Sequence, residues 1–370
     1  MTENNNFSTW IEIETYAIEQ NVRLIKRKTG SRVMAVVKAN AYGHGTVPVA
    51  KTALRGGADY LGVARIEEAL ELREAGIKDP ILVMGYTPPE RVIEGIDNNI
   101  SLTVWKIEHI IIASHLAQNQ GSMVNLHLKV DTGMSRLGAQ PEQVLVLASE
   151  ISNHPGIIFE GVFTHYARAD EKELEPTAKQ EQTFSKIVNR LSSVGLRPPL
   201  IHAANSAAIL TRPDSYFELV RPGIAIYGLH PSPECRLPSG FRPALTWKTV
   251  LSQVKQLPAG RGVSYGHEYI TRSSERIGTV PVGYADGFRR IAGNQVLVGG
   301  QFVPVVGRVC MDQICVQLDG VPNAQEGDEV VLIGQQGNEN ITAESLADLW
   351  GTINYEVVCG LGARVPRIYK

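Results

Sequence analysis

Over the first 230 residues, short apolar runs alternate with stretches in which apolar side chains recur every three or four positions. The runs read as strands at 32–37, 60–63, 81–84, 101–105, 124–130, 157–164, 200–203 and 220–227. Between them lie helical patterns. Ile18, Val22 and Ile25 fall on one face, with Lys26, Arg27 and Lys28 in the last turn and Gly30 as the stop. In "RIEEALELREAG", Ile66, Ala69, Leu70 and Arg73 share a face and Gly76 ends the helix. Eight strands separated by helices predict an α/β fold, a parallel (β/α)8 barrel of the TIM type.

The pattern changes near Pro231. "HPSPECRLPSGFRP" holds four prolines in fourteen residues and reads as a linker. The strand-like runs beyond it, "LTWKTVLSQVKQL", "ERIGTVPVGY", "QVLVGGQFVPVVGRVCMDQICVQL" and "DEVVLIG", are separated by Gly, Pro, Asn and Asp, as in an antiparallel sheet. One helix interrupts them, "TAESLADLWG", with Thr342 as N-cap and Glu344 and Ser345 in its first turn. The expected organisation is a barrel over 1–235 and a C-terminal, mostly antiparallel β domain over 236–370, with residues 1–10 packing against the latter. A chain of 370 residues fits two domains.

Composition narrows the function. A hydrophobic content of 43% supports true cores, and a formal net charge of −2 gives no electrostatic footprint for nucleic acid or an anionic membrane. The opening "MTENNNFSTW" has neither a basic nor an apolar leader segment, and no apolar run is long enough to span a bilayer. Four cysteines without a CxxC pair suggest neither a disulfide framework nor a zinc site. A reduced cytoplasmic compartment fits, with a small-molecule substrate as partner.

Polar residues collect at the predicted strand ends, where barrel chemistry gathers. Lys38 ends the first strand in "VMAVVKANAYGHG", Lys129 and Asp131 the fifth, and His165 and Tyr166 the sixth. Asn205 and Ser206 follow the seventh, and Arg221 opens the eighth apolar stretch. A lysine closing a buried strand is costly unless paired, neutral or covalently used; its stem can also simply snorkel over apolar surface. Five of eight ends carrying such groups favour a shared site. No GxxxxGK[ST], HExxH or strand-borne GxGxxG occurs, so ATP, zinc hydrolysis and dinucleotides lack their signatures. The residues leave two lysine chemistries open: aldolase-like condensation, or a pyridoxal phosphate enzyme.

The blocks "AVVKANAYGHG", "HLKVDTGMSRLG", "THYARAD", "ANSAA", "RPGIAIYG", "VSYGHEY", "GYADG", "GRVCMDQ" and "NYEVVCG" follow one another over nearly the whole chain. Together they resemble the alanine racemases, pyridoxal 5'-phosphate enzymes of the barrel-plus-β-domain type. The resemblance implies interconversion of L- and D-alanine for peptidoglycan by two bases. Lys38 matches the lysine that binds the cofactor aldehyde and then serves as one base, and Tyr265 matches the second. Removing a proton on one face and returning one on the other needs two such groups. Both ordinarily titrate near ~10, so both have to be lowered, with His165 and Arg221 the natural neighbours acting on Tyr265.

By the same resemblance, Arg221 faces the cofactor's pyridine nitrogen, Arg136 takes the substrate carboxylate, and Lys129 is a position often carbamylated; a plain Lys129–Asp131 pair is the alternative. Tyr42, Ser206, Gly223, Ile224 and Tyr355 match phosphate-site positions, and Asn205 holds Arg221 or the seventh loop in place. Met311, Asp312 and Tyr284 match residues that close the substrate pocket. In the family these, with Tyr265, come from a second copy, so an obligate homodimer is expected. His267 and Glu268 match no firm family pattern and could alter the entryway.

Competing readings remain. A broad-specificity racemase would differ in pocket size. An amino-acid decarboxylase on the same fold would carry a glycine-rich phosphate loop, where this chain has "RPGIAIYG". A non-catalytic pyridoxal phosphate carrier would resemble the barrel alone, against the long segment after the linker.

Overall fold

Seven of the apolar runs form strands close to their expected limits: Arg32–Val36, Tyr60–Val63, Ile81–Val83, Ser101–Val104, Val124–Lys129, Ile157–Phe163 and Leu200–His202. In the computed structural model, which describes residues 6–370, each pairs in parallel with the next. Leu219–Val220 pairs with the first strand, and an isolated parallel bridge between Asn205 and Arg221 brings the ring almost to closure. Met34, Tyr60, Leu82, Leu200 and Leu219 pack together inside, as the filled interior of such a barrel requires.

The eighth strand departs from expectation. Only Leu219–Val220 is extended, and Ile224–Tyr227 is a 3-10 turn. Pro222 cannot donate to a ladder, and Gly223 turns the backbone at φ −109°, ψ −94°. The buried face of the helix Ile66–Glu74 also shifts: Ile66, Ala69 and Leu72 are buried, in place of Leu70 and Arg73. Arg73 instead donates to the carbonyls of Ile77, Asp79, Asn98 and Asn99, tying the loops on either side.

The chain divides into two compact units, Tyr16–Arg242 and Pro243–Lys370 joined by the residues up to Thr15. The division falls later than 235/236 for a local reason. The Asn21 amide donates to the carbonyls of Ile226 and Arg242 and its oxygen accepts from Arg242 N–H, which fastens the linker to the first barrel helix.

In the second unit, strands run in the order Gln253–Leu257, Glu275–Val280, Ile314–Gln317, Gln301–Val306, Gln295–Val298, Glu329–Gln336, Leu245–Val250, Thr9–Ile13 and Arg367–Tyr369. All neighbours are antiparallel except the last pair. Of residues 1–10, the first five lie outside the described residues. Thr342 caps Ala343–Trp350 by accepting from Ser345 N–H, and a further helix, Asn354–Cys359, follows it. No helix among the described residues is long and apolar enough to cross a membrane.

Candidate active site

The end of the first barrel strand carries the longest run of left-handed backbone among the described residues. After Lys38, four consecutive non-glycine residues, Ala39, Asn40, Ala41 and Tyr42, have φ between 50° and 54°. A left-handed L-residue costs roughly 1–2 kcal/mol, so the turn persists only because its surroundings hold it. Asn40 Oδ1 accepts from Thr46 N–H at 3.0 Å, and Glu68 accepts from Ala39 N–H at 2.6 Å. The other oxygen of Glu68 accepts from Ala64 and Arg65 N–H, so one carboxylate joins this turn to the start of the helix Ile66–Glu74. The turn aims Tyr42 into the barrel, 8% exposed, with its ring 4.9 Å from that of Tyr227.

Lys38, Lys129, Arg136, His165 and Arg221 line one cavity of about 190 Å³, with Met84, Leu137 and Phe163 among its apolar walls. The concentration of positive charge shows in their titration. Burial, then Arg221, Arg136 and Lys38, lowers the Lys129 ammonium to about 8. Burial followed by the same arginines and lysines holds His165 well below the usual imidazole range, hence neutral. Burial brings Arg221, 3% exposed, down to about 10, so it stays protonated at neutral pH. Lys129 Nζ and the Arg221 guanidinium both lie 5.3 Å from the Phe163 ring centroid.

The Lys129–Asp131 pair is not formed. Asp131 Oδ1 instead accepts from the N–H groups of Gly133, Met134 and Ser135, shaping the loop that carries Arg136. Asn205 caps the short helix Ser206–Thr211 by accepting from Ala208 N–H, and its backbone bridges to Arg221.

Beside the cavity, Ser206 Oγ accepts from the N–H groups of Gly223 (2.9 Å) and Ala225 (3.2 Å); Ile224 lies between them. A Cβ at position 223 would meet the Tyr42 hydroxyl at 2.4 Å. Two hydroxyls and the amides of Gly223 and Ala225 thus converge where only glycine fits, a donor set suited to a phosphate. With an amine-bearing cavity adjacent, these residues fit pyridoxal phosphate.

Tyr265, Tyr284, Met311 and Asp312 gather in the other unit, around a broad depression of about 1020 Å³. Tyr265 is 73% exposed. The carbonyls of Cys310 and Met311 accept from Tyr284 and Ala285 N–H. Arg364 donates to both Asp286 and Asp312 at 2.7 Å, which fixes Asp312. Glu268 pairs with Arg308, which lies against Gly266 in the Tyr265 turn. Tyr355 sits partly exposed on Asn354–Cys359, also in this unit.

Sequence reasoning missed Glu68, His127, Glu160 and His202. The last three form a hydrogen-bonded string behind Arg221. The signal for one was present: in Val124–Lys129, strand alternation puts His127 on the same face as Lys129.

The N-terminal domain model of alanine racemase matches residues 13–231, and its C-terminal domain model matches 244–369. An alanine racemase of Symbiobacterium thermophilum is 46% identical over 98% of this chain and 97% of its own. The solved alanine racemase of Bacillus anthracis with bound L-Ala-P superposes with a TM-score of 0.93 at 42% identity, over 100% of this chain and 96% of that one. A histidine racemase of Leuconostoc mesenteroides superposes with a TM-score of 0.92 at 30% identity, over 100% of both chains. With both domain models and full-length relatives in agreement, the chain belongs to the alanine racemase family.

Proposed function

We propose that the protein interconverts L- and D-alanine with pyridoxal phosphate, in the cytoplasm, supplying D-alanine for peptidoglycan. The observation that carries this is the cavity ringed by Lys38, Lys129, Arg136, His165 and Arg221 beside the Tyr42–Ser206–Gly223 cradle. When bound, pyridoxal phosphate supplies an electron-withdrawing ring that makes the α-hydrogen of a linked amino acid acidic.

The chain's own groups do the rest. Lys38 holds the cofactor aldehyde and moves the α-proton on one face at Nζ. Arg136 binds the substrate carboxylate with its planar fork. Arg221, protonated and lacking any acceptor, offers only donors to the ring nitrogen, which tempers the pull of the ring. Ser206, Tyr42 and the amides of Gly223 and Ile224 hold the phosphate, with Tyr355 as a further donor. Asn205 keeps Arg221 in line. Lys129, lowered to about 8, is a ready amine for carbon dioxide, and as a carbamate it would orient Arg136.

The opposite face needs a second base. We propose that Tyr265 Oη of a second copy supplies it, with Tyr284, Met311 and Asp312 closing the substrate pocket, so that the homodimer is the active form.

The test is optical inversion of a panel of L-amino acids by the purified protein loaded with pyridoxal phosphate, followed by circular dichroism. Alanine inverted far faster than serine, lysine, arginine or histidine is the expected result. Comparable inversion of histidine would make it a broad-specificity racemase, the reading that its likeness to the Leuconostoc enzyme favours. Bound cofactor without inversion of any amino acid would overturn racemisation.

A further inference from the structure

Arg221 is buried among acceptors of which none is a carboxylate. Its guanidinium donates to the carbonyls of Thr164 (2.6 Å) and Ala203 (2.9 Å) and to Nδ1 of His202 (2.9 Å), with His165 Nδ1 at 3.3 Å. A buried cation without an anion is unfavourable. The compensating charge is present but distant, at the end of a string of two imidazoles.

The protons along that string are determined by the arginine. Guanidinium has donors and no acceptor, so Nδ1 of His202 has to accept, and the single proton of the neutral ring sits on Nε2. His202 Nε2–H therefore donates to His127 Nδ1 at 2.9 Å. His127 in turn carries its proton on Nε2 and donates to Glu160 Oε2 at 2.8 Å. Both rings are neutral Nε2–H tautomers pointing the same way, from Arg221 toward Glu160. The donation to the Glu160 carboxylate polarises the bond between the two rings and makes His202 Nδ1 a stronger acceptor for the guanidinium.

The barrel is shaped around this string. The register between the fifth and sixth strands slips between Leu126 and His127, so that His127 pairs with Gly161 and Glu160 is the extra residue. A Cβ at Gly161 would meet His127 Nδ1 at 2.4 Å. Phe163 stacks on His202 at 4.7 Å and 7°, holding the ring plane. The Ser101 hydroxyl, at the start of its strand, also donates to Glu160.

We propose that Glu160, His127 and His202 are positioning residues for Arg221, with Glu160 the counter-charge of a guanidinium it never touches, fixing the orientation of that guanidinium toward the cavity. The effect on the cofactor rests on the reading of Arg221 as the partner of the ring nitrogen; the string itself does not.

Two measurements separate these. Imidazole 15N spectra of histidine-labelled full-length protein, assigned with His127→Gln and His202→Gln, should show both rings as Nε2–H tautomers near neutral pH. An Nδ1–H tautomer or a charged ring at either position overturns the relay, whatever the enzyme does. In cofactor-loaded Glu160→Gln, the bound-cofactor absorption should shift and kcat should fall about tenfold with KM little changed, while Glu160→Asp restores part of both. Wild-type absorption and kcat in Glu160→Gln would overturn the positioning role and leave the racemase reading intact. A wild-type protein that binds no pyridoxal phosphate would instead overturn the functional reading, and the tautomers would still decide the relay.

Discussion

Gly223 and Lys129 show how single residues set the chemistry. At Gly223 the Tyr42 hydroxyl occupies the place of a Cβ, so the site demands glycine for space. Gly223→Ala would push Tyr42 out of the cradle, and overpacking of this kind costs about 1–3 kcal/mol. The expected result is a ten- to hundredfold weaker affinity for pyridoxal phosphate, roughly what that cost implies, read by absorbance titration of the cofactor-free protein. Unchanged affinity would remove Gly223 from the phosphate site.

Lys129 makes a pH prediction whose sign follows from linkage. Its folded value is lowered from 10.5 to about 8, so between those pH values the unfolded chain binds the proton that the folded chain has released. Stability therefore rises with pH over that window, and below it the buried ammonium costs roughly 3 kcal/mol. Lys129→Met should abolish this contribution, seen as a wild-type-minus-variant difference in unfolding free energy that climbs from pH 8 to 10. Bicarbonate should flatten the wild-type curve if Lys129 is carbamylated, because a carbamate no longer titrates as an amine. A flat difference in carbon dioxide-free buffer would contradict the lowered value.

At the scale of elements, the left-handed turn Lys38–Tyr42 is the one that local rules would not place. Ala39 is exposed at φ 54°, so Ala39→Gly should relieve strain and stabilise by about 1 kcal/mol. Ala39→Val, β-branched in the same conformation, should destabilise. Thermal unfolding checks both, and a valine variant as stable as wild type would contradict the turn. Legibility of the other elements followed their length and period. Thr15–Thr29 repeats its apolar face over four turns and was readable. Asn354–Cys359 has six residues, too few for a period. The stretch after Val220 is apolar enough to read as strand, but Pro222 and Gly223 end the ladder and leave amides facing Ser206.

For the molecule as a whole, the first and last strands of the described residues belong to one sheet. Thr9–Ile13 lies between Leu245–Val250 and Arg367–Tyr369, with Trp10, Ile11 and Ile13 buried. Glu12 accepts ion pairs from Lys248 and Lys370 across both junctions. A chain beginning at residue 14 should therefore lose the cooperative unfolding of the Pro243–Lys370 unit while Tyr16–Arg242 keeps its own transition, as followed by hydrogen exchange. Full protection of Leu245–Val250 in that truncation would show the strand to be dispensable.

The sequence by itself determined the two-part organisation, seven barrel strands, the helix Thr15–Thr29 and the residues offered as chemistry, because side-chain period and motif order are properties of neighbouring positions. Only the tertiary structure decided how those residues meet. Glu160, His127 and His202 come from three strands and Arg221 from just beyond a fourth, and they join in one hydrogen-bonded string only because a one-residue slip turns Glu160 inward and Gly161 leaves room for a ring. Asp131 was free by sequence to pair with Lys129, and the loop's unsatisfied amides claimed it instead. Hydrogen-bond satisfaction and packing are settled among groups brought together by the fold, and their partners are far apart along the chain.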